Sequence, residues 1–384
     1  MRPSLFMNAA VLIATGAGFV AGQDERVPPG VNQKAVNDAI TKGAQWLLKE
    51  AAGGETPDYD NQEWRHTEEL ALYALLHAGA DPKQPEVVKL LETLLKRKPE
   101  KTYTAAIRAQ ALLKYDPQLL AEYIKQAAQY LVDNQSQTGY WGYGKEVPLP
   151  DASKVTVTPD SGKVYSGPKS GPADVFAGAA NARRNTTAIQ RTVLKRGGWG
   201  QATDNSNTQY ALLGLGACMA AGFYPPQDCL DLAEKWLTDQ QNDDGGWNYK
   251  ERGAASYGSM TAGGVSSLCI VLRAKGNAAP KKDIRVVKAL KWLGSNLSFD
   301  NNPQKGAWHY YWIYSVERAG SVAGTEWFGD RAWFKEGADW LVGQQSADGS
   351  WGKEGEGKKV ANTAWAILFL RRATRSIVIS GPGK

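Results

Sequence analysis

The stretch His309-Tyr-Tyr-Trp-Ile-Tyr-Ser-Val-Glu-Arg318 gathers proton-handling and ring-stacking side chains more densely than any other part of the sequence. On a helix, Tyr310, Tyr314 and Glu317 share one face, and Tyr311, Tyr314 and Arg318 share an overlapping one. Such a seam can pack and hydrogen-bond internally. It can also serve as a ligand wall, because Tyr and Trp stack on sugar rings or apolar chains and His or Tyr can move protons. A second cluster is Asp204-Asn205-Ser206-Asn207, a carboxylate next to amides and a hydroxyl. Tyr257 precedes a third polar group, Ser259 and Thr261. The candidates for catalysis are His309, Tyr310 and Asp204. The candidates for ligand binding are Asn205, Ser206, Asn207, Tyr257, His309, Tyr310, Tyr314 and Arg318.

Other chemistries are excluded by what the 384 residues do not contain. With three histidines and three cysteines, and no Cys-x-x-Cys pair, neither a His-rich metal site nor a disulfide scaffold can be built. Asp228-Cys229 reads as a helix-capping Asp beside a packed Cys, so no metal and no cofactor are expected. No two carboxylates stand out as a glycosidase couple. The formal charge is +6. The segment 142–200 holds nine Lys/Arg and four Asp/Glu, so most of the excess is local and a nucleic-acid-coating role is not expected.

Residues 1–22 read as a secretory signal: Arg2, an apolar run from Ala9 to Val20, and small residues at Ala21-Gly22. The chain is therefore expected to be exported, to the periplasm or beyond, without a stable membrane span. Residues 23–374 are expected to form one domain and 375–384 a tail, with 142–200 a Gly/Pro-rich basic insertion. That insertion is expected to sit at the opening where the third inner helix begins, with a short strand near Lys154–Thr158.

The elements that position these residues come from a repeat. Gln135-Ser-Gln-Thr-Gly139-Tyr-Trp141, Gln241-Asn-Asp-Asp-Gly245-Gly-Trp247 and Gln345-Ser-Ala-Asp-Gly349-Ser-Trp351 all fit Gln-x-x-x-Gly-x-Trp. Degenerate copies pair Trp46 with Trp64 and Trp292 with Trp308. Internal repeats of this kind mean helical pairs. Before each turn lies an amphipathic helix, such as Leu230, Ala233, Trp236 and Leu237; after it lies one apolar on all sides, hence buried. Outer helices are predicted near 33–50, 84–97, 117–134, 227–241, 282–296 and 332–345. Inner helices are predicted near 66–78, 103–114, 206–221, 258–274, 309–319 and 361–372. Six pairs that bury every inner helix should close into an (α/α)6 toroid, an all-α fold with a long irregular insertion. At each turn the Gln amide is expected to bond free N–H groups of the next helix and the Trp to cover the junction.

These repeats resemble the Gln–Trp motifs of squalene–hopene cyclases and the toroids of protein prenyltransferase β subunits, over roughly residues 33–373. They look most like secreted bacterial prenyltransferase or squalene-oxidase repeat proteins. The resemblance implies a ligand site at the toroid mouth, formed by the N-terminal ends of the inner helices. Bacterial cyclases protonate an alkene with the middle Asp of Asp-x-Asp-Asp-Thr-Ala. The matching stretch, Asp204 to Ala211, keeps the first Asp and the Thr but carries Ser206 at the acid position. Prenyltransferases bind zinc through an Asp, a Cys and a His, and Asp228, Cys229 and His309 do not make a convergent set. The resemblance thus implies a secreted toroid that binds an isoprenoid-like or carbohydrate ligand, or a protein partner, at its mouth. The alternatives are an isoprenoid cyclase or transferase with altered chemistry, and a carbohydrate-active enzyme similar to toroidal polysaccharide lyases, with His309, Tyr310, Asn205 and Arg318 as its site. The contents of the toroid's centre discriminate between them.

Overall fold

In the computed structural model, twelve α-helices among the described residues alternate between two layers. The described residues are 29–54, 56, 67–155, 162–164, 186–192, 204–250, 252–352 and 359–374. The outer helices are α1 (Gln33–Glu50), α3 (Pro85–Lys96), α5 (Ala121–Asp133), α7 (Gln227–Gln240), α9 (Ile284–Asn296) and α11 (Trp333–Gln344). The inner helices are α2 (Glu68–Ala78), α4 (Thr102–Tyr115), α6 (Asn205–Ala220), α8 (Gly258–Ala274), α10 (His309–Ala323) and α12 (Lys359–Arg371). Each inner helix packs on the next, α2 on α4, α4 on α6, α6 on α8, α8 on α10, α10 on α12, and α12 back on α2. The ring is closed, and it is the six-paired toroid that the repeats predict.

The layering follows from composition. Every residue of α8 from Gly258 to Arg273 is buried, whereas α7 buries only Cys229, Leu230, Ala233, Trp236 and Leu237. An apolar stripe on each outer helix covers inner helices that have no polar face to offer water. Small residues set the spacing: a Cβ at Gly214 would come within 2.6 Å of the Ala106 Cα, so α6 and α4 touch backbone to backbone.

The three Gln–Trp turns are built alike. The Trp141, Trp247 and Trp351 indole N–H groups donate to the carbonyls of Leu131, Leu237 and Leu341, at 2.7, 2.9 and 2.8 Å. Their backbone N–H groups donate to the hydroxyls of Thr208, Thr261 and Thr363, at the start of the following inner helix. All three rings are buried. The Gln side chain acts differently from the expectation. Its amide N–H groups donate to carbonyls, one within its own turn (Gly139, Gly245, Gly349) and one in the next outer helix (Cys229, Arg285, Ala39). It is thus a donor fork rather than an acceptor for free N–H groups. The Gln345–Ala39 bond joins the last turn to α1 and closes the ring. Gly139, Gly245 and Gly349 have φ of 102, 90 and 92°, which disfavours any side chain. The degenerate copy at Trp292 and Trp308 does not form this staple, because Trp308 is 46% exposed and Trp312 is the buried indole there, donating to the Ser298 carbonyl.

The described parts of the insertion start at the mouth, where Tyr143 packs against Tyr103, and then run along α5. Residues 142–150 run from the start of α4, where Thr102 N–H donates to the Tyr143 carbonyl, to Pro150, whose carbonyl accepts from Gln126. Residues 186–192 return from the far end. There β1 (Thr187–Ala188) pairs in parallel with β2 (Phe223–Tyr224), and Thr192 then bonds Asp133. Lys154 and Val155 are not in a strand, and 156–158 lie outside the described residues, as do residues 1–28, the basic spot at 181–185 and the tail 375–384.

Candidate functional site

All six inner helices begin at one end of the ring. There Asp204 precedes α6 and caps it, its Oδ1 accepting from the Asn207 N–H at 3.0 Å. The same oxygen accepts from the Ser206 hydroxyl at 2.7 Å. The other oxygen accepts from the Asn207 amide at 2.6 Å and the Tyr249 hydroxyl at 3.0 Å. Tyr103, from α4, donates to the Ser206 Oγ at 2.6 Å. Asp204, Ser206 and Asn207 therefore converge, as the sequence leads one to expect, with Tyr103 and Tyr249 completing the cluster. Asp204 organises four donors, and Ser206 relays between a phenol and a carboxylate. Asn205 turns away: its amide donates to the carbonyls of Asn248 and Met260. Tyr257 precedes α8, and Lys305 lies 5.6 Å from its ring centroid.

Deeper in the ring, residues from inner helices that are not neighbours meet on the axis. The Arg318 guanidinium lies 4.6 Å from the Tyr314 ring centroid, 4.8 Å from Tyr210 and 5.4 Å from Tyr311. The shared helix face of Tyr311, Tyr314 and Arg318 is thus real, and it faces inward. Arg318 donates to Gln209 Oε1 at 3.2 Å and to the Ser315 hydroxyl at 2.6 Å. Gln209 in turn donates to the Tyr311 hydroxyl across the ring. A Cβ at Gly263 would strike the Gln209 amide, so that glycine makes room for it. Trp365 of α12 packs edge-on against Tyr311, and Tyr73 of α2 reaches toward Tyr314. Burial pushes the phenols of Tyr73, Tyr103 and Tyr311 well above their ordinary range. The centre is therefore occupied by tyrosines around an arginine.

His309 and Tyr310 do not join this group. The His309 Nε2 donates to the Phe299 carbonyl at 2.7 Å, and its ring stands edge-on to Trp340 of α11, 4.8 Å away. Tyr310 lies 6.0 Å from the same indole, on the outer side. Burial lowers the His309 pKa and keeps the ring neutral. The lyase-like set of His309, Tyr310, Asn205 and Arg318 is not assembled. Nor do Asp228 and Cys229 act together. Pro226 holds the cap position, and Asp228 sits in the first turn, exposed and paired with Arg191 at 3.1 Å. The Cys229 thiol is buried, which pushes its pKa up to about 12, far from a metal-binding thiolate.

Glu317 faces away from its expected companion Tyr310, toward the closing end of the ring. It accepts from Ser321 at 2.8 Å and from the Thr374 N–H and hydroxyl at 3.1 and 2.6 Å. Full burial outweighs these donors and pushes its pKa up to about 7. The folded chain therefore favours the protonated form, while the unfolded chain ionises near 4.5. Stability should fall as pH rises from about 4.5 to about 7, by about 3 kcal/mol from this group. Urea unfolding across that range should show the loss in the wild type and a flatter profile in Glu317→Gln. Equal slopes would refute the assignment.

Sequence reasoning missed Tyr73, Tyr103, Gln209, Tyr210 and Tyr249. The signal was available for most of them: a tyrosine or glutamine inside an inner helix apolar on all sides must spend its polar atom on the axis.

No family model matches the chain. A squalene–hopene cyclase from Bradyrhizobium diazoefficiens is 22% identical over 225 residues, 48% of this chain and 33% of that protein. The chain thus spans about a third of the length of the curated relative it matches. Among solved structures, the apo type II terpene cyclase MstE from Scytonema superposes with a TM-score of 0.54 at 13% identity, covering 89% of this chain and 99% of that one. A variant of the same cyclase, in complex with geranylgeranyl dihydroxybenzoate, gives 0.50 at 14% identity, with 89% and 98% covered. The chain has the α/α toroid fold of the terpene cyclases and is similar in sequence to part of a squalene–hopene cyclase.

Proposed function

We propose that this chain is an exported toroid that binds a hydroxyl-rich ligand, of which a carbohydrate is the simplest, at the end where its inner helices begin. It does not carry out proton-initiated cyclisation. The observation that supports this most is the filled axis. A hydrocarbon folded for cyclisation needs an apolar lumen, and Arg318 with Tyr210, Tyr311 and Tyr314 takes that space. At the mouth, Asp204, Ser206 and Asn207 sit beside Tyr103 and Tyr249. Hydroxyl, amide and carboxylate groups next to ring faces suit a ligand with its own hydroxyls. Ser206 stands where the resemblance puts the proton donor, and an alcohol cannot protonate an alkene at neutral pH.

Two measurements test this. Incubated with squalene or geranylgeranyl dihydroxybenzoate, the protein should give no cyclic product by mass spectrometry. Ser206→Asp should not create that activity, because the cavity is also lacking. Calorimetric titration with cello-, chito- and galacturonan oligosaccharides should give at least one saturable isotherm, lost in Tyr249→Ala while the melting temperature is kept. A cyclic product, or no saturable sugar, would overturn the reading. A product would return the chain to the cyclases with another acid.

A further inference from the structure

We propose that the axis of the toroid is a binding site for a small monovalent anion of halide size, held by the Arg318 guanidinium and the hydroxyls of Tyr73 and Tyr314. The inference is independent of what binds at the mouth. It begins with a charge that has no counter-charge. Arg318 is fully buried, and among the described residues no carboxylate pairs with it; its protein partners are Gln209 and Ser315, both neutral. The adjacent acid, Glu317, is turned to Ser321 and Thr374. Contrast Arg108, the other fully enclosed arginine of the inner layer, which meets the Glu69 carboxylate at 2.9 Å.

Three tyrosine rings face the Arg318 guanidinium. Such cation–π contacts offset only part of the cost of a desolvated cation. Stripping an isolated cation of water costs far more, so the rings alone leave the charge poorly compensated.

The donors left over point to the compensation. The Arg318 Nε and Nη1 atoms and the Tyr73 and Tyr314 hydroxyls are buried and have no hydrogen-bond partner. The two hydroxyls lie near each other, and the guanidinium stands over the Tyr314 ring. Guanidinium N–H groups can only donate, and a phenol hydroxyl donates readily. Four unpartnered donor groups around one cation call for an acceptor that carries negative charge. One guanidinium balances one unit of charge, so a monovalent anion leaves the axis neutral, whereas a dianion would leave a net buried charge. The rings that surround the guanidinium favour an ion of a few ångströms over an elongated carboxylate chain.

Bromide is the probe, because its anomalous scattering identifies it. Crystals of the wild-type protein grown in sodium bromide should show one strong anomalous peak on the axis, beside Arg318 and between the Tyr73 and Tyr314 hydroxyls. In solution, the melting temperature should be higher in sodium chloride than in sodium gluconate at equal ionic strength, by several degrees. Arg318→Met should abolish both signals. If that variant does not fold, Tyr314→Phe removes a single hydroxyl from a ring that stays in place, and it should lower the bromide peak and shrink the chloride effect. An axis with only neutral solvent in wild-type bromide crystals would overturn the proposal. So would a chloride effect that Tyr314→Phe leaves at full size.

Discussion

Trp247→Ala is expected to cost about 3–5 kcal/mol of folding stability, the range for deleting a large buried aromatic from a packed core. The ring is 1% exposed and lies against Gly264 of α8, whose absent side chain is what lets the indole in. Its N–H donates to the Leu237 carbonyl at the end of α7, and its backbone N–H to Thr261 at the start of α8. Alanine keeps the backbone bond but leaves the Leu237 carbonyl without its donor and opens a cavity at the junction of two helix pairs. Chemical denaturation measures the loss. A change below 1 kcal/mol would mean that the turn is not what joins successive pairs. Trp308→Ala is the internal control: the same repeat position, but exposed, so its loss should be small.

The contrast between these two tryptophans also marks what the sequence could and could not convey. The spacing Gln-x-x-x-Gly-x-Trp located the turns, because each residue is required there by a separate physical demand: a donor fork, a positive φ and a buried ring. The helix periods were readable for the same reason; α1 and α8 coincide with the predicted ranges. Where the motif decays, as at Trp308, the chain gives no local clue that Trp312, four residues on, has taken over the buried position. The site was legible only where its parts are adjacent in sequence. Asp204, Ser206 and Asn207 lie on one turn, and so their convergence was expected. Tyr103 reaches Ser206 from another helix, and Gln209 reaches Tyr311 across the ring. Contacts of that kind depend on ring diameter and helix rotation, which periodicity does not specify. His309 illustrates the opposite error. Its one-turn neighbourhood suggested catalysis, but the Phe299 carbonyl and Trp340 ring that hold it come from other elements.

Breaking the Glu69–Arg108 pair should have an effect as large as removing Trp247. The two side chains are 1 and 2% exposed and join α2 to α4 at 2.9 Å. Arg108 also donates to the Arg97 carbonyl at 2.6 Å, anchoring the loop that leads into α4. Arg108→Leu strands the Glu69 carboxylate in a site that water does not reach. The expected cost is about 3–5 kcal/mol, most of it the penalty of an unpaired buried charge rather than the net worth of the bridge. That distinction gives the test its second half. Replacing both partners, Glu69→Leu with Arg108→Leu, removes the stranded charge along with the attraction, and stability should return to within about 1–2 kcal/mol of wild type. The remaining deficit would come from the Arg97 carbonyl, which loses its donor in either variant. Urea unfolding of the two single variants and the double variant separates these contributions. If the double variant is as unstable as the sum of the singles, the pair is not a coupled unit, and the loss lies in packing between α2 and α4.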